Sequence, residues 1–195
     1  MTRRVADSAL MMQVLSKPDA RDSMSLPFQP ITWDQFDQGA GFLKGLKIGL
    51  LMEAGCGLPV EPEVQNAVLR AAQLFEQAGA TVESMKPFMT QTMLEGLDHF
   101  WRMRSHLDLA ALPPDRKARV LPYILQWADS AAEFTGEQVY FAASQSHATR
   151  LASVNACRSF DYIISPTAPM PAFAAEVPSP TNDPLHGLEH LGLTV

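Results

Sequence analysis

The residues with most chemical potential in this chain lie in Asp161-Tyr-Ile-Ile-Ser-Pro-Thr-Ala-Pro169. A short β-branched run that breaks at once into proline is how a buried strand delivers a loop at its carboxyl end. Other constellations carry less. His99 and His106 lie on one expected helix, and His186 and His190 near the end, but a zinc site needs three or four ligands with an ordered second shell. Surface or interfacial histidine is the expectation. Ser144, Ser146 and His147 supply types for a Ser/His/Asp triad, yet Gly-x-Ser-x-Gly is absent and the serines fall mid-helix.

Two further sequences invite a cofactor and do not support one. Gly55-Cys-Gly-Leu-Pro59 stands between a strand and a helix, as a dinucleotide fingerprint would. The third glycine is missing, and Glu61 and Glu63 at the helix start repel a pyrophosphate. Cys56 and Cys157 lack Cys-x-x-Cys or Cys/His spacing, so reduced, structural cysteines are expected.

The elements that must position these residues follow from periodicity. Val5, Ala9, Met12 and Leu15 have helical spacing, with Asp7 in the first turn. Residues 16–38 read as an extended connection, and Leu43–Leu51 as a strand. Glu61-Pro62-Glu63 opens a helix whose inward side would carry Val64, Val68, Ala71, Leu74, Phe75 and Ala78, with Gly79 as its stop. Thr81–Met85 then completes a βαβ unit, expected to be parallel and right-handed.

Residues 90–160 read as helices alone. The first carries Met93, Leu97, Phe100 and Trp101 and ends at Pro113-Pro114; a second runs from Val120 to a stop at Gly136, interrupted near its start by Pro122. The third spans about 137–159, with Val139, Ala143, Leu151 and Val154 inward. Phe100, Trp101, Trp127, Tyr140 and Phe141 are expected to pack helices rather than cage a substrate. These helices would form a layer or subdomain over one side of the sheet.

Composition narrows the function classes. The chain has 195 residues, 47% of them hydrophobic, and a net charge of −6 without a Lys/Arg cluster, which argues against direct nucleic-acid binding. No run approaches the length of a membrane helix, and Asp7, Ser8 and Gln13 interrupt any leader-like start. The expectation is a soluble, cytoplasmic α/β protein.

Four segments in order resemble the amidase-signature family of Ser-Ser-Lys hydrolases. Met1, Thr2, Arg3, Val5 and Asp7 match the family's Gly-Pro-Met-(Ala/Thr)-Arg-Thr-Val-x-Asp helix from the methionine onward. Leu43-Lys-Gly-Leu-Lys-Ile-Gly matches its Leu-Lys-Gly-Leu-Arg-Ile-Gly strand. Pro59-Val-Glu-Pro-Glu-Val and Ala71-Ala-x-Leu-Phe-Glu-Gln-Ala-Gly-Ala-Thr-Val match the next helix and strand. Arg150, Phe160, Asp161, Pro166, Thr167 and Pro169 match the approach to the substrate-side loop.

The resemblance implies hydrolysis of carboxamide C–N bonds without metal or cofactor. It requires a nucleophilic serine, a second serine in a cis peptide, a proton-relaying lysine and a Gly-rich loop whose amides hold the oxyanion. In the family these lie ahead of the Gly-Pro-Met segment. This chain has no Ser-Ser dipeptide and no such loop, so no catalytic residue is assigned. A first residue at an internal family methionine implies a late start, a split gene or a degraded copy. The expected organisation is a partial amidase domain over 1–195, a βαβ unit of a mixed sheet with a helical layer: 1–89 opening helix and βαβ unit, 90–160 helices, 161–195 strand and loop.

For substrate, the resemblance offers two classes. The glutaminase subunit of transfer-RNA-dependent amidotransferases holds glutamine with an arginine and an acid, at whose places Arg119 and Asp183 fall. Pro122 stands where that subunit has glycine, so a general amide hydrolase is the preferred reading. Thr167, Arg119 and Asp183 are its substrate-side candidates. For Arg119 and Asp183, a helix-surface salt bridge and a turn-forming Asp-Pro explain the residues equally well. The rival classes are a non-catalytic fold remnant acting as an interaction module and a Rossmann-type small-molecule binder. A small amide substrate, a missing-segment partner or a homo-oligomer completes the expectation, since open strand edges and apolar patches favour association.

Overall fold

A computed structural model describes residues 2–22, 25–33, 41–56 and 59–176. It divides into two compact units, Met1–Phe42 and Leu43–Val195. The first contains helix α1 (Val5–Leu15), the helix that the spacing predicts, in which Ala9 is the buried residue while Val5 and Leu15 are exposed. An extended connection follows. In it the Arg21 guanidinium and backbone N–H hold the exposed Asp19 carboxyl down to about 2.

The second unit is built on a three-stranded sheet in the order β2-β1-β3, with β1 (Lys47–Leu50) central, β2 (Thr81–Ser84) and β3 (Tyr162–Ile164). Among the described residues both pairings are parallel, as the βαβ reading expects, and they align Ile48 with Val82 and Tyr162. Burial follows from position, since a central parallel strand is covered on both faces. Ile48 is 2% exposed. A Cβ on Gly49 would collide with the side chains of Met85 and Ile163, so the glycine allows them to close over the middle strand.

Helix α2 (Pro62–Gln77) links β1 to β2. Pro62 sits at its start, where an N–H would be unpaired anyway, and Glu63 favours the positive end of the dipole. Gly79 ends it at φ +98°, with Ala80 N–H donating to the Phe75 carbonyl at 3.0 Å, the six-residue closure of a Schellman stop. Ala72 is the buried residue of α2, whereas Leu74 is 65% exposed, against the inward placement its spacing predicts.

Four helices fill the segment between β2 and β3: α3 (Gln91–Ala110), α4 (Pro114–Lys117), α5 (Pro122–Asp129) and α6 (Gly136–Cys157). The stop expected at Gly136 is a start instead. Thr135 and Gln138 exchange hydrogen bonds as a capping box, which nucleates α6 there, while α5 has already ended at Asp129. Pro122 opens α5 rather than interrupting it, leaving Val120 outside.

Helix α3 packs along α6 and α5. Small residues permit the approach: Ala128, Ala131 and Ala142 are at most 1% exposed, and Gly96 lies against Gln145 of α6. The inward set read from spacing fails at Leu151 and Val154, both exposed. Tyr140 is 80% exposed, and Phe141 and Trp101, also expected to pack helices, are exposed as well. The helices meet the sheet unit beyond the carboxyl ends of β1 and β2, where Ala54, Met89 and Leu94 are buried together with Cys56, Phe88 and Leu97 against them.

Gly49→Val should lower stability by about 2 kcal/mol, the cost of overpacking. Gly136→Ala, with nothing within 4 Å of the added carbon, should raise it by about 0.5 kcal/mol by restricting the unfolded chain. Urea denaturation of both variants checks the pair.

Candidate functional site

The three strands point the same way, so their exit loops gather at one edge, which is where open α/β sheets bind ligands. Backbone hydrogen bonds carry the order past the strand ends. Leu51 N–H donates to the Ile164 carbonyl at 3.0 Å and Met85 N–H to the Leu50 carbonyl at 2.8 Å. Met89 N–H reaches the Ala54 carbonyl at 3.0 Å, tying the β2 exit to the β1 exit. Gly55 turns between them at φ +111°, and a Cβ there would come within 2.7 Å of the Met89 carbonyl oxygen. Only glycine suits both the dihedral and the approach.

The loop after β3 is fastened at both ends. Pro166 is buried, Pro169 is fully buried, and the Pro169 carbonyl accepts from Glu61 N–H, at the N-cap of α2, at 2.7 Å. Between these prolines Thr167 is exposed. The loop is thus held where the strand exits gather, with Ser165 and Thr167 exposed on it.

Asp161 is the clamp behind this loop. Its N–H donates to the Lys47 carbonyl and its Oδ2 accepts from Lys47 N–H, both at 2.8 Å. The side chain thus completes the pairing of β3 with β1 at the opposite end from Thr167. Asp161 is exposed and structural in this role.

The other candidates fall elsewhere. Arg119 is exposed in the turn between α4 and α5, not on a helix surface, and its N–H donates to the Arg116 carbonyl at 3.1 Å. Asp183, His186 and His190 lie outside the described residues. His99 packs against Phe134, just ahead of α6, with the rings tilted by 54° and their centroids 4.8 Å apart. His106 Nδ1 lies 3.2 Å from Oδ1 of Asp129, the last residue of α5, so both histidines tie α3 to the end of α5 and its exit turn. Ser144 Oγ donates to the Phe141 carbonyl at 2.6 Å. It shares a shallow recess of about 390 Å³ with Glu137, Gln138, Tyr140 and Phe141 on the first turns of α6. Among the described residues no group of three or more His, Cys, Asp or Glu could hold a metal. No helix of the described residues is long and apolar enough to cross a membrane.

One polar cluster escaped the sequence reading. Asp98 and Arg102 are 7% and 5% exposed and paired at 2.7 Å on α3. Arg102 also donates to Ser130 Oγ at 2.9 Å and lies 5.7 Å from the Trp127 ring centroid. Its signal was the i,i+4 Asp-to-Arg spacing, which looks the same on a solvated helix face. Asp98 Oδ1 and Trp127 Nε1 are buried with no hydrogen-bond partner among the described residues, so this pair is held at a desolvation cost.

A model of the amidase family matches residues 1–194. The chain belongs to the amidase family. The glutamyl-tRNA(Gln) amidotransferase A subunit of Myxococcus xanthus (strain DK1622) is 40% identical over 82 residues, 42% of this chain and 16% of that protein. An acylamidase of Rhodococcus erythropolis is 34% identical over 86 residues, 44% of this chain and 17% of its own length. The corresponding amidotransferase protein of Synechococcus sp. (strain CC9605) is 27% identical over a longer match, 88% of this chain and 39% of that protein. Among solved structures, a bacterial aryl acylamidase of the amidase-signature enzymes superposes with a TM-score of 0.71 at 27% identity. That match covers 89% of this chain and 37% of the acylamidase. The amidase-signature fold expected from the four motifs is thus the fold observed, and the chain spans well under half the length of these relatives.

Breaking the buried pair should cost more than removing it. Arg102→Met alone should destabilise by about 3 kcal/mol, and the Asp98→Leu/Arg102→Met double variant by less, because the single change strands a buried carboxylate. Asp161→Ala should cost about 1–2 kcal/mol through its hydrogen bond to Lys47 N–H. Denaturant titration of the three variants beside the unmodified chain checks both statements.

Proposed function

We propose that this chain forms the substrate-side part of an amide hydrolase of the amidase-signature type, acting on non-peptide carboxamide C–N bonds. The observation that carries the reading is the Thr167 loop, fastened by Pro166 and Pro169 at the ligand edge of a chain that the family model matches over residues 1–194.

In this reading a serine supplied with the rest of the fold attacks the amide carbonyl. Its proton passes through the lysine to the departing amine, and water then releases the acid from the acyl-serine. Backbone amides of a glycine-rich loop hold the oxyanion. That machinery is not in the 195 residues, which contain no Ser-Ser dipeptide. What this chain contributes is Thr167, whose hydroxyl orients the substrate amide, with Arg119 and Asp183 as further substrate-side positions. The reaction in this reading needs no metal or cofactor. A cytoplasmic location belongs to the proposal, in keeping with a chain of two cysteines, Cys56 and Cys157, whose spacing suggests no disulfide framework.

A second reading, glutamine hydrolysis for a transfer-RNA-dependent amidotransferase, is favoured by the match to the Synechococcus amidotransferase protein along 88% of this chain. Pro122 weighs against it, because as the first residue of α5 it replaces the glycine of the glutaminase arginine motif.

Ammonia release from aliphatic and aryl carboxamides and from glutamine tests the proposal. The purified chain alone should stay at the no-enzyme blank. Joined to a polypeptide carrying the serine–lysine machinery it should hydrolyse aryl or aliphatic amides, and Thr167→Val should cut kcat/KM about tenfold, the value of one lost positioning hydrogen bond. Turnover by the chain alone would refute the assignment, glutamine as sole substrate would select the second reading, and an inactive assembly would leave a non-catalytic module.

A further inference from the structure

The peptide unit that joins Val60 to Glu61 is held from both sides. Its N–H, carried by Glu61, donates to the Pro169 carbonyl at 2.7 Å. Its carbonyl, that of Val60, accepts from Gln65 Nε2 at 2.8 Å. Both bonds therefore end on one planar amide, and whatever fixes the direction of the carbonyl also fixes the direction of the N–H.

The surroundings leave this task to Gln65. The Gln65 backbone N–H donates to the Glu61 carbonyl at 2.9 Å, the bond that an N-cap carbonyl ordinarily accepts. The Val60 carbonyl lies one residue outside that ladder. Val60 is buried, and a carbonyl in that setting needs a partner, which the half-buried Gln65 carboxamide supplies. Pro59 and Pro62, on either side, carry no N–H, so Val60 and Glu61 are the two backbone donors of this four-residue segment.

What the tilt of the peptide decides is the seat of the Thr167 loop. Pro169 is fully buried, and its carbonyl anchors the far end of that loop two residues beyond Thr167. An amide whose carbonyl is already bonded is polarised, so its N–H donates more strongly. Gln65 Nε2, the Val60 carbonyl, the Glu61 N–H and the Pro169 carbonyl thus form one chain of hydrogen bonds from the start of α2 to the loop. We propose that Gln65 is a positioning residue for the Thr167 loop, acting through the Val60–Glu61 peptide. What the loop serves rests on the amide-hydrolase reading, whereas the hold itself is read without catalysis.

The experiment is amide hydrogen exchange by NMR on the full chain and three variants. Gln65→Met keeps the length of the side chain without its donor, Gln65→Glu turns an acceptor toward the Val60 carbonyl, and Gln65→Lys restores a donor. Exchange at the Glu61 amide should quicken about fivefold in the Met and Glu variants, the value of one hydrogen bond, and return toward the unmodified rate in the Lys variant. The amides of residues 70–75, in the body of α2, should keep their rates. An unchanged Glu61 rate would overturn the proposal, as would acceleration spread evenly through α2, because Gln65 would then support only its own helix. If circular dichroism shows that the Met or the Glu variant does not fold, the other decides. Joined to the serine–lysine polypeptide, Gln65→Met should lower kcat/KM about threefold and add nothing in a Thr167→Val background, since both changes act through one hydroxyl. Additive losses would overturn the positioning role. An assembly that hydrolyses no amide, with Glu61 exchange as expected, supports the hold and counts against the functional reading alone.

Discussion

The parallel pairing of β1 with strands on both sides is the constraint on which the rest of the structure depends. Parallel strands have no tight turn to set their register, so side chains and capping bonds must do it. Asp161 brackets Lys47 with its own amide and carboxylate, and Gly49 lets Met85 and Ile163 close across the middle of β1. Had β3 slipped by one residue, its side chains would exchange faces and Asp161 would lose Lys47. Instead the strands end together, and the Gly55, Met89 and Thr167 loops share one edge.

The helical layer depends on a different kind of contact. Its centre is lined by Ala128, Ala131 and Ala142, which bring helices close but bury little surface each. Into this layer the chain places Asp98 and Arg102, joined to the end of α5 through Ser130. A buried ion pair adds little net stability compared with apolar replacement, but it disfavours arrangements in which either charge lacks its partner.

Legibility in the sequence differed between elements for physical reasons. Strand β1 and helix α2 were readable because their signals are local: Pro62 at a helix start, Gly79 at its stop, an apolar run beside glycine. The boundary at Gly136 was misread because glycine commonly ends a helix, whereas here the Thr135–Gln138 capping box starts one. Leu74, Leu151 and Val154 were expected inward because periodicity reports that a side of a helix is apolar, not that anything lies against it. The loop at Thr167 was visible from its prolines, but its fastening to α2 through Glu61 is a contact between segments far apart in the chain.

By itself the sequence determined the family, the α/β class and the βαβ order from β1 through α2 to β2, because ordered motifs, caps and apolar periods are written in neighbouring residues. It also determined that no Ser-Ser dipeptide is present. Only the tertiary structure decided that Asp161 clamps Lys47, that Asp98 and Arg102 are buried, and that Thr167 stands exposed between buried prolines. Those facts depend on which surfaces meet in three dimensions. Burial and desolvation are properties of the surroundings, and an Asp-to-Arg step of four residues has the same spelling in water and in a core.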